Sequence, residues 1–70
     1  MSKYRWTAPK FKVGQRVTFR WNDRNIRVGE IYELDTHYDH TGEAWHSYRV
    51  MADGHKVARY TTEKDMWFAP

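Results

Sequence analysis

Two short runs place an arginine between aromatic rings: Tyr4-Arg5-Trp6 and Phe19-Arg20-Trp21. Guanidinium groups neutralise phosphates and exposed rings stack on bases, so this interleaving is the residue chemistry of a single-stranded nucleic-acid surface. On a strand the same pattern has a plainer use, with Phe19 and Trp21 facing a core and Arg20 facing water. Charge bears on the choice. Residues 1–30 carry eight lysines and arginines against Asp23 and Glu30, a balance of +6, and residues 31–70 carry four against seven carboxylates, a balance of −3. A basic half joined to an acidic half can guide a polyanion to one face; a solvated surface with chance clustering is the alternative. The phosphate-contacting candidates are Lys10, Lys12, Arg16, Arg20, Arg24 and Arg27, and the aromatic candidates are Trp6, Trp21, Trp45 and Trp67.

A second constellation lies in Asp35-Thr36-His37-Tyr38-Asp39-His40, with Glu43 and His46 beyond it. Histidine and carboxylate bind zinc and other divalent ions. Strand alternation would put His37 and Asp39 on one face and His40 elsewhere, so the expectation is a solvated polar loop, with no metal and no other cofactor. Catalysis finds little support. There is no cysteine. Ser2 and Ser47 sit in no nucleophile elbow, and the four glycines are spread singly, so no loop cradles phosphate. Glu30, Glu33 and Asp35 would scatter over both faces of a strand. A domain this small has no deep pocket unless it oligomerises. The expectation is a binding module and not an enzyme.

Seventy residues make one domain. A chain of this length buries only about 60% of its unfolded surface, and with no disulfide the stabilising bulk must come from aromatic residues. No stretch has the apolar run of a signal peptide or a membrane helix. With the missing cysteines, the expectation is a cytoplasmic protein with no membrane partner.

The elements that must position these residues read as strands. Residues 1–10 form an arm, interrupted at Pro9. Residues 11–70 form the folded unit. Val17, Phe19 and Trp21 alternate with Arg16, Thr18 and Arg20, so one face looks inward and the other is basic. Asn22–Asn25 is a turn. A second strand covers residues 26–35 and breaks its alternation at Gly29, where a bend or bulge is expected. A polar loop follows over residues 36–44. The third strand covers residues 45–51, Asp53-Gly54 makes a hairpin turn, and the fourth covers residues 56–61. Thr62 caps one helical turn over residues 62–65, from which Asp65 can bond back, before a last strand at residues 66–69. Five short strands with turns between them make an all-β, five-stranded antiparallel barrel with a short 3-10 turn before the last strand. Its expected core is Phe11, Val13, Val17, Phe19, Ile31, Tyr48, Val50, Met66 and Phe68.

Gly14-x-x-Val17-x-Phe19, Arg27-x-Gly29-x-Ile31, Tyr48-x-Val50-x-x-Asp53-Gly54 and Glu63-x-Asp65-Met66 together resemble the SH3-like barrels of the Tudor and KOW type, over about residues 11–68. Tudor relatives hold methylated lysine or arginine in an aromatic cage; by type, Trp21, Tyr32, Trp45 and Tyr60 are the members this resemblance implies. KOW relatives bind RNA or ribonucleoprotein through basic loops, which the loop from Asn22 to Arg27 matches through Arg24 and Arg27, without the usual glycine and lysine richness. The plasmid-encoded type II dihydrofolate reductase is similar in length and strand order. Its Val-Gln-Ile-Tyr signature is Val57-Ala58-Arg59-Tyr60 here, so its folate chemistry does not carry over. The function expected is a small module that contacts RNA or DNA through a basic face. The alternative is a protein-interaction adaptor or regulator, of bacterial or phage type, that uses exposed aromatics.

Overall fold

A computed structural model describes residues 4–69; Ser2, and Lys3 of the basic half, lie outside the described residues. In β1 (Arg16–Arg20) Val17 and Phe19 are buried while Arg16 and Arg20 are exposed, the period of two of a half-buried strand. β2 (Ile26–Tyr38), β3 (Ala44–Ala52) and β4 (Ala58–Thr62) follow, then a 3-10 turn at Glu63–Asp65 and β5 (Met66–Phe68). All five strands lie in one antiparallel sheet, ordered β4-β3-β2-β1-β5. The fold is all-β, as the alternation predicts. Among the described residues, no helix is long and apolar enough to cross a membrane.

One sheet with no second layer can bury a face only by curling onto itself. Phe11, Val17, Phe19, Ile31, Tyr48, Val50, Ala52 and Met66 are at most 1% exposed. The curl also shows in a contact between distant rows. Flat neighbouring strands would put β4 and β1 about 14 Å apart, at three spacings of roughly 4.8 Å. Yet Arg59 of β4 lies 4.0 Å over the ring of Trp21, the residue after β1.

Two core expectations fail. Val13 is 57% exposed because residues 11–15 form turns rather than a strand; Gly14 there has a φ of +91°. Phe68 is 58% exposed: it ends the three-residue β5 and covers only the outside of Phe11, at 4.9 Å between ring centroids. The expected bulge also moves. Gly29 stays in register with both Val17 and Ala52, and the extra residue is Tyr32, between the pairs Ile31–Val50 and Glu33–Arg49. Thr62 makes no capping bond through its side chain, and Asp65 accepts from Arg20 at 3.2 Å instead of bonding back to its own turn.

The expected loop over residues 36–44 is shorter: residues 36–38 belong to β2 and Ala44 opens β3. Thr36 and His37 extend β2 because their side chains find partners across the hairpin: Thr36 Oγ1 bonds His46 Nδ1 at 2.9 Å, and His37 Nε2 bonds Ser47 Oγ at 2.8 Å. The turn itself closes on Asp39, whose Oδ1 accepts from the Thr41 and Glu43 amides and the Thr41 hydroxyl. These bonds hold its carboxyl below the usual range.

The described part of the arm, residues 4–10, is tied down. Arg5 donates its amide to the Gly42 carbonyl and accepts from the Ala44 amide, and its guanidinium meets Glu43 at 2.6 Å. Buried His46 donates from Nε2 to the Thr7 carbonyl at 2.6 Å. At the arm's end, the Lys10 amide and the Tyr48 hydroxyl both donate to Glu63 Oε2, at 2.8 and 2.5 Å. The Phe11 amide in turn donates to the Tyr48 oxygen at 3.3 Å. Burial and the Glu63 carboxylate push the Tyr48 hydroxyl up to about 12. An unfolded tyrosine ionises near 10, so the folded state holds this proton more tightly. Its stabilisation is therefore complete below about pH 10 and lost as pH rises to about 12, an effect on the order of 2–3 kcal/mol. Tyr48→Phe is expected to be less stable at neutral pH by about 1–3 kcal/mol, with the gap to the parent narrowing through that alkaline window. Urea titrations of both proteins along a pH series check this; a constant gap contradicts it.

Candidate functional site

The turn after β1 is built by Asn22. Its Oδ1 accepts from the amides of Arg24 and Asn25, both at 3.0 Å, an Asx turn that suits this residue. The backbone closes through the Trp21 amide to the Asn25 carbonyl at 2.8 Å. The connection between β3 and β4 turns at Gly54, with a φ of +80°, where the His55 amide bonds the Ala52 carbonyl. Both connections meet at Trp21. The His55 ring packs on the indole at 4.6 Å, the Arg59 guanidinium lies over it at 4.0 Å, and Arg27 approaches at 5.9 Å. The other edge of Trp21 rests on core Phe19 at 6.1 Å. Trp21 is thus a half-buried post that gathers basic side chains at one end of the curled sheet, with Arg24 in the adjoining turn.

Among the described arginines, ion pairing separates this end from the rest of the surface. Arg5 pairs with Glu43, Arg16 with Asp53, Arg20 with Asp65 and Arg49 with Glu33. The Arg16–Asp53 pair is two-pronged, holding the Asp53 carboxyl below its ordinary range and raising the guanidinium. Among the described residues, Arg24, Arg27 and Arg59 have no carboxylate at ion-pair distance. An indole face steadies a guanidinium but leaves its charge in place. Three arginines outside any ion pair therefore share one end of the molecule with a single carboxylate, Asp23 of the turn, and an anion there relieves their mutual repulsion.

The other candidates are dispersed. Arg16 and Arg20 face outward on β1, as expected, each beside a carboxylate; Arg20 also lies 5.9 Å over Trp67. Lys10 extends over Phe11 and Phe68 at 5.5 and 5.7 Å, and Lys12 is exposed in the turn before Gln15. Both precede β1, whose length of about 13 Å separates them from the turn at its far end. Trp67 pairs across Thr18 with Val28, giving an exposed apolar strip on the outer face. Trp45 stacks on His37 at 4.2 Å near the distal hairpin turn, and Trp6 is 64% exposed in the arm.

The four aromatic residues grouped by type do not come together. Trp21 is at the basic end, Trp45 at the distal hairpin, and only Tyr32 and Tyr60 line one groove. The metal-like constellation diverges too: His37 bonds Ser47, while His46 is buried against Thr7 and Thr36. Among the described residues, no three metal-binding side chains gather.

Sequence reasoning missed Arg59 and His55. The signal for Arg59 is parity: on β4 it pairs with buried Val50, and an arginine on an inward face must find a surface at the barrel's end. No family model, curated protein or solved structure matches the chain, so the reading of this end rests on its own geometry.

Proposed function

We propose that this protein is a non-enzymatic nucleic-acid-binding module and that its phosphate contacts are at the Trp21 end. The observation that carries this reading is the contrast in ion pairing: Arg24, Arg27 and Arg59 lack a carboxylate at ion-pair distance while Arg5, Arg16, Arg20 and Arg49 have one. Cations fixed by a ring face and by a turn lose little freedom when a phosphate arrives, which favours binding over a free lysine tail. The basic surface is thereby narrower than residues 10–27 and includes a strand from the other half of the sequence.

Three phosphate contacts give a log–log salt dependence with a slope of about −2 to −3. At physiological salt the affinity of such a sequence-independent site is on the order of 10⁻⁴–10⁻⁶ M. Anisotropy titrations of labelled single-stranded RNA, single-stranded DNA and duplex DNA at two salt concentrations test it. Absence of binding at low salt overturns the reading, and capture of protein by a salt-insensitive route favours the adaptor alternative.

A further inference from the structure

The outer face of β2, β3 and β4 carries a groove of about 350 Å³ beside the basic end. Tyr32 and Tyr60 line it, 59% and 63% exposed. Met51 and Ala58, paired across β3 and β4, contribute its apolar surface, and Arg49 and Lys56 its charge. The β2 bulge produces this arrangement. Tyr32 is the extra residue, so Tyr32 and Glu33 both reach the outer face where strict alternation would have turned one of them inward. Tyr60 is held upright: Arg49, directly opposite on β3, donates to its hydroxyl and lies 4.7 Å over its ring. Glu33 partly balances Arg49 at 3.6 Å, and Lys56 has no carboxylate partner among the described residues.

We infer that this groove holds an unpaired base of a single-stranded nucleic acid, stacked on the exposed tyrosines while its phosphates run toward Lys56 and the Trp21 end. This rests on the nucleic-acid reading above and adds the substrate class to it. Three observations select the occupant. The groove is small, at the low end of ligand-pocket volumes, which suits one planar ring system. Its charged lining is net basic, so a methylated lysine or arginine, the occupant of an aromatic cage, would enter against like charge. It is also joined to the cationic end through the chain: the connection that sends Lys56 into the groove packs the preceding residue, His55, on Trp21. A duplex keeps its base faces stacked inside, so only a single strand can use the tyrosines.

The experiment uses the full chain and three anisotropy probes: labelled oligothymidylate, a duplex of the same length and a trimethyllysine peptide. Tyr32→Leu and Tyr60→Leu keep apolar bulk at exposed strand positions, and circular dichroism verifies that each is folded. Stacking on a single base predicts that each variant loses roughly tenfold in single-strand affinity while duplex affinity stays at the parent value. Unchanged single-strand binding in both folded variants overturns the groove assignment and leaves the basic end standing. Equal parental affinity for duplex and single strand overturns it as well, as does preference for the peptide. Failure of the parent to bind either nucleic acid is a separate result, which removes the functional reading itself.

Discussion

Gly29→Ala is expected to be the most damaging single replacement in the sheet. Gly29 stands mid-sheet, in register with Val17 on one side and Ala52 on the other. A methyl group there would lie 2.3 Å from the Met51 carbonyl oxygen and 2.9 Å from the Ala52 Cα. Both are backbone atoms of the neighbouring strand, so no side-chain rotation relieves the clash. Reaching even 3.0 Å requires β2 and β3 to part by about 0.7 Å, the difference between 3.0 and 2.3 Å. That loosens the ladder carrying Ile31 and Val50, both fully buried. The cost should be about 3 kcal/mol or more, in a domain whose total stability is of the order of 4–10 kcal/mol. At 4–8 °C per kcal/mol for a domain this small, the thermal midpoint should fall by at least about 12 °C. Gly54→Ala is the control: open space surrounds it, and only its φ of +80° opposes a side chain, a penalty of about 1 kcal/mol. Thermal unfolding of the two variants ranks these penalties, and equal midpoints would contradict the close approach at Gly29.

The second large effect concerns binding. Arg24→Gln with Arg27→Gln removes two of the three guanidinium groups outside any ion pair at the Trp21 end while leaving Trp21 and Arg59 in place. Arg27 contributes only a bond to its neighbour's carbonyl, at 3.3 Å, and a distant approach to the indole, so the fold should tolerate the change within about 0.5 kcal/mol each. Each lost phosphate contact weakens binding regardless of sequence and lowers the salt slope by about one. The double variant should therefore bind at least about tenfold more weakly at low salt, with a slope reduced by about two.

Much of the fold was legible because it rests on local rules. Val17 and Phe19 alternate with arginines, Asp53-Gly54 marks a turn, and Ile31 and Met66 fall on the inward parity; all four apolar residues are buried. The errors share a cause, which is partnership across the sheet. Thr36 and His37 read as loop because they are polar, yet their partners on β3 make them strand. Gly29 read as a bend, but it serves the close approach of a neighbouring backbone, which one strand's pattern does not contain. The candidate site divides the same way. Arg24 in the turn after β1 and Arg27 at the start of β2 lie close in sequence to Trp21 and were visible as a basic loop. Arg59 and His55 join them only because the sheet curls, and Arg16 and Arg20 lose their free charge to Asp53 and Asp65, residues 37 and 45 positions away. A run of basic residues is therefore a poor guide to net field until the opposing carboxylates are located.

That point gives the account its most direct test. Arg24→Gln/Arg27→Gln and Arg16→Gln/Arg20→Gln remove the same formal charge, two units, from places 16–27 of one chain. Salt-dependence titrations with oligothymidylate compare both with the parent. A binding end at Trp21 predicts that the first pair flattens the slope by about two and weakens binding, while the second leaves the slope at the parental value. Equal losses in both variants, or a greater loss from the outer pair, would contradict it and return the binding surface to the outward face of β1.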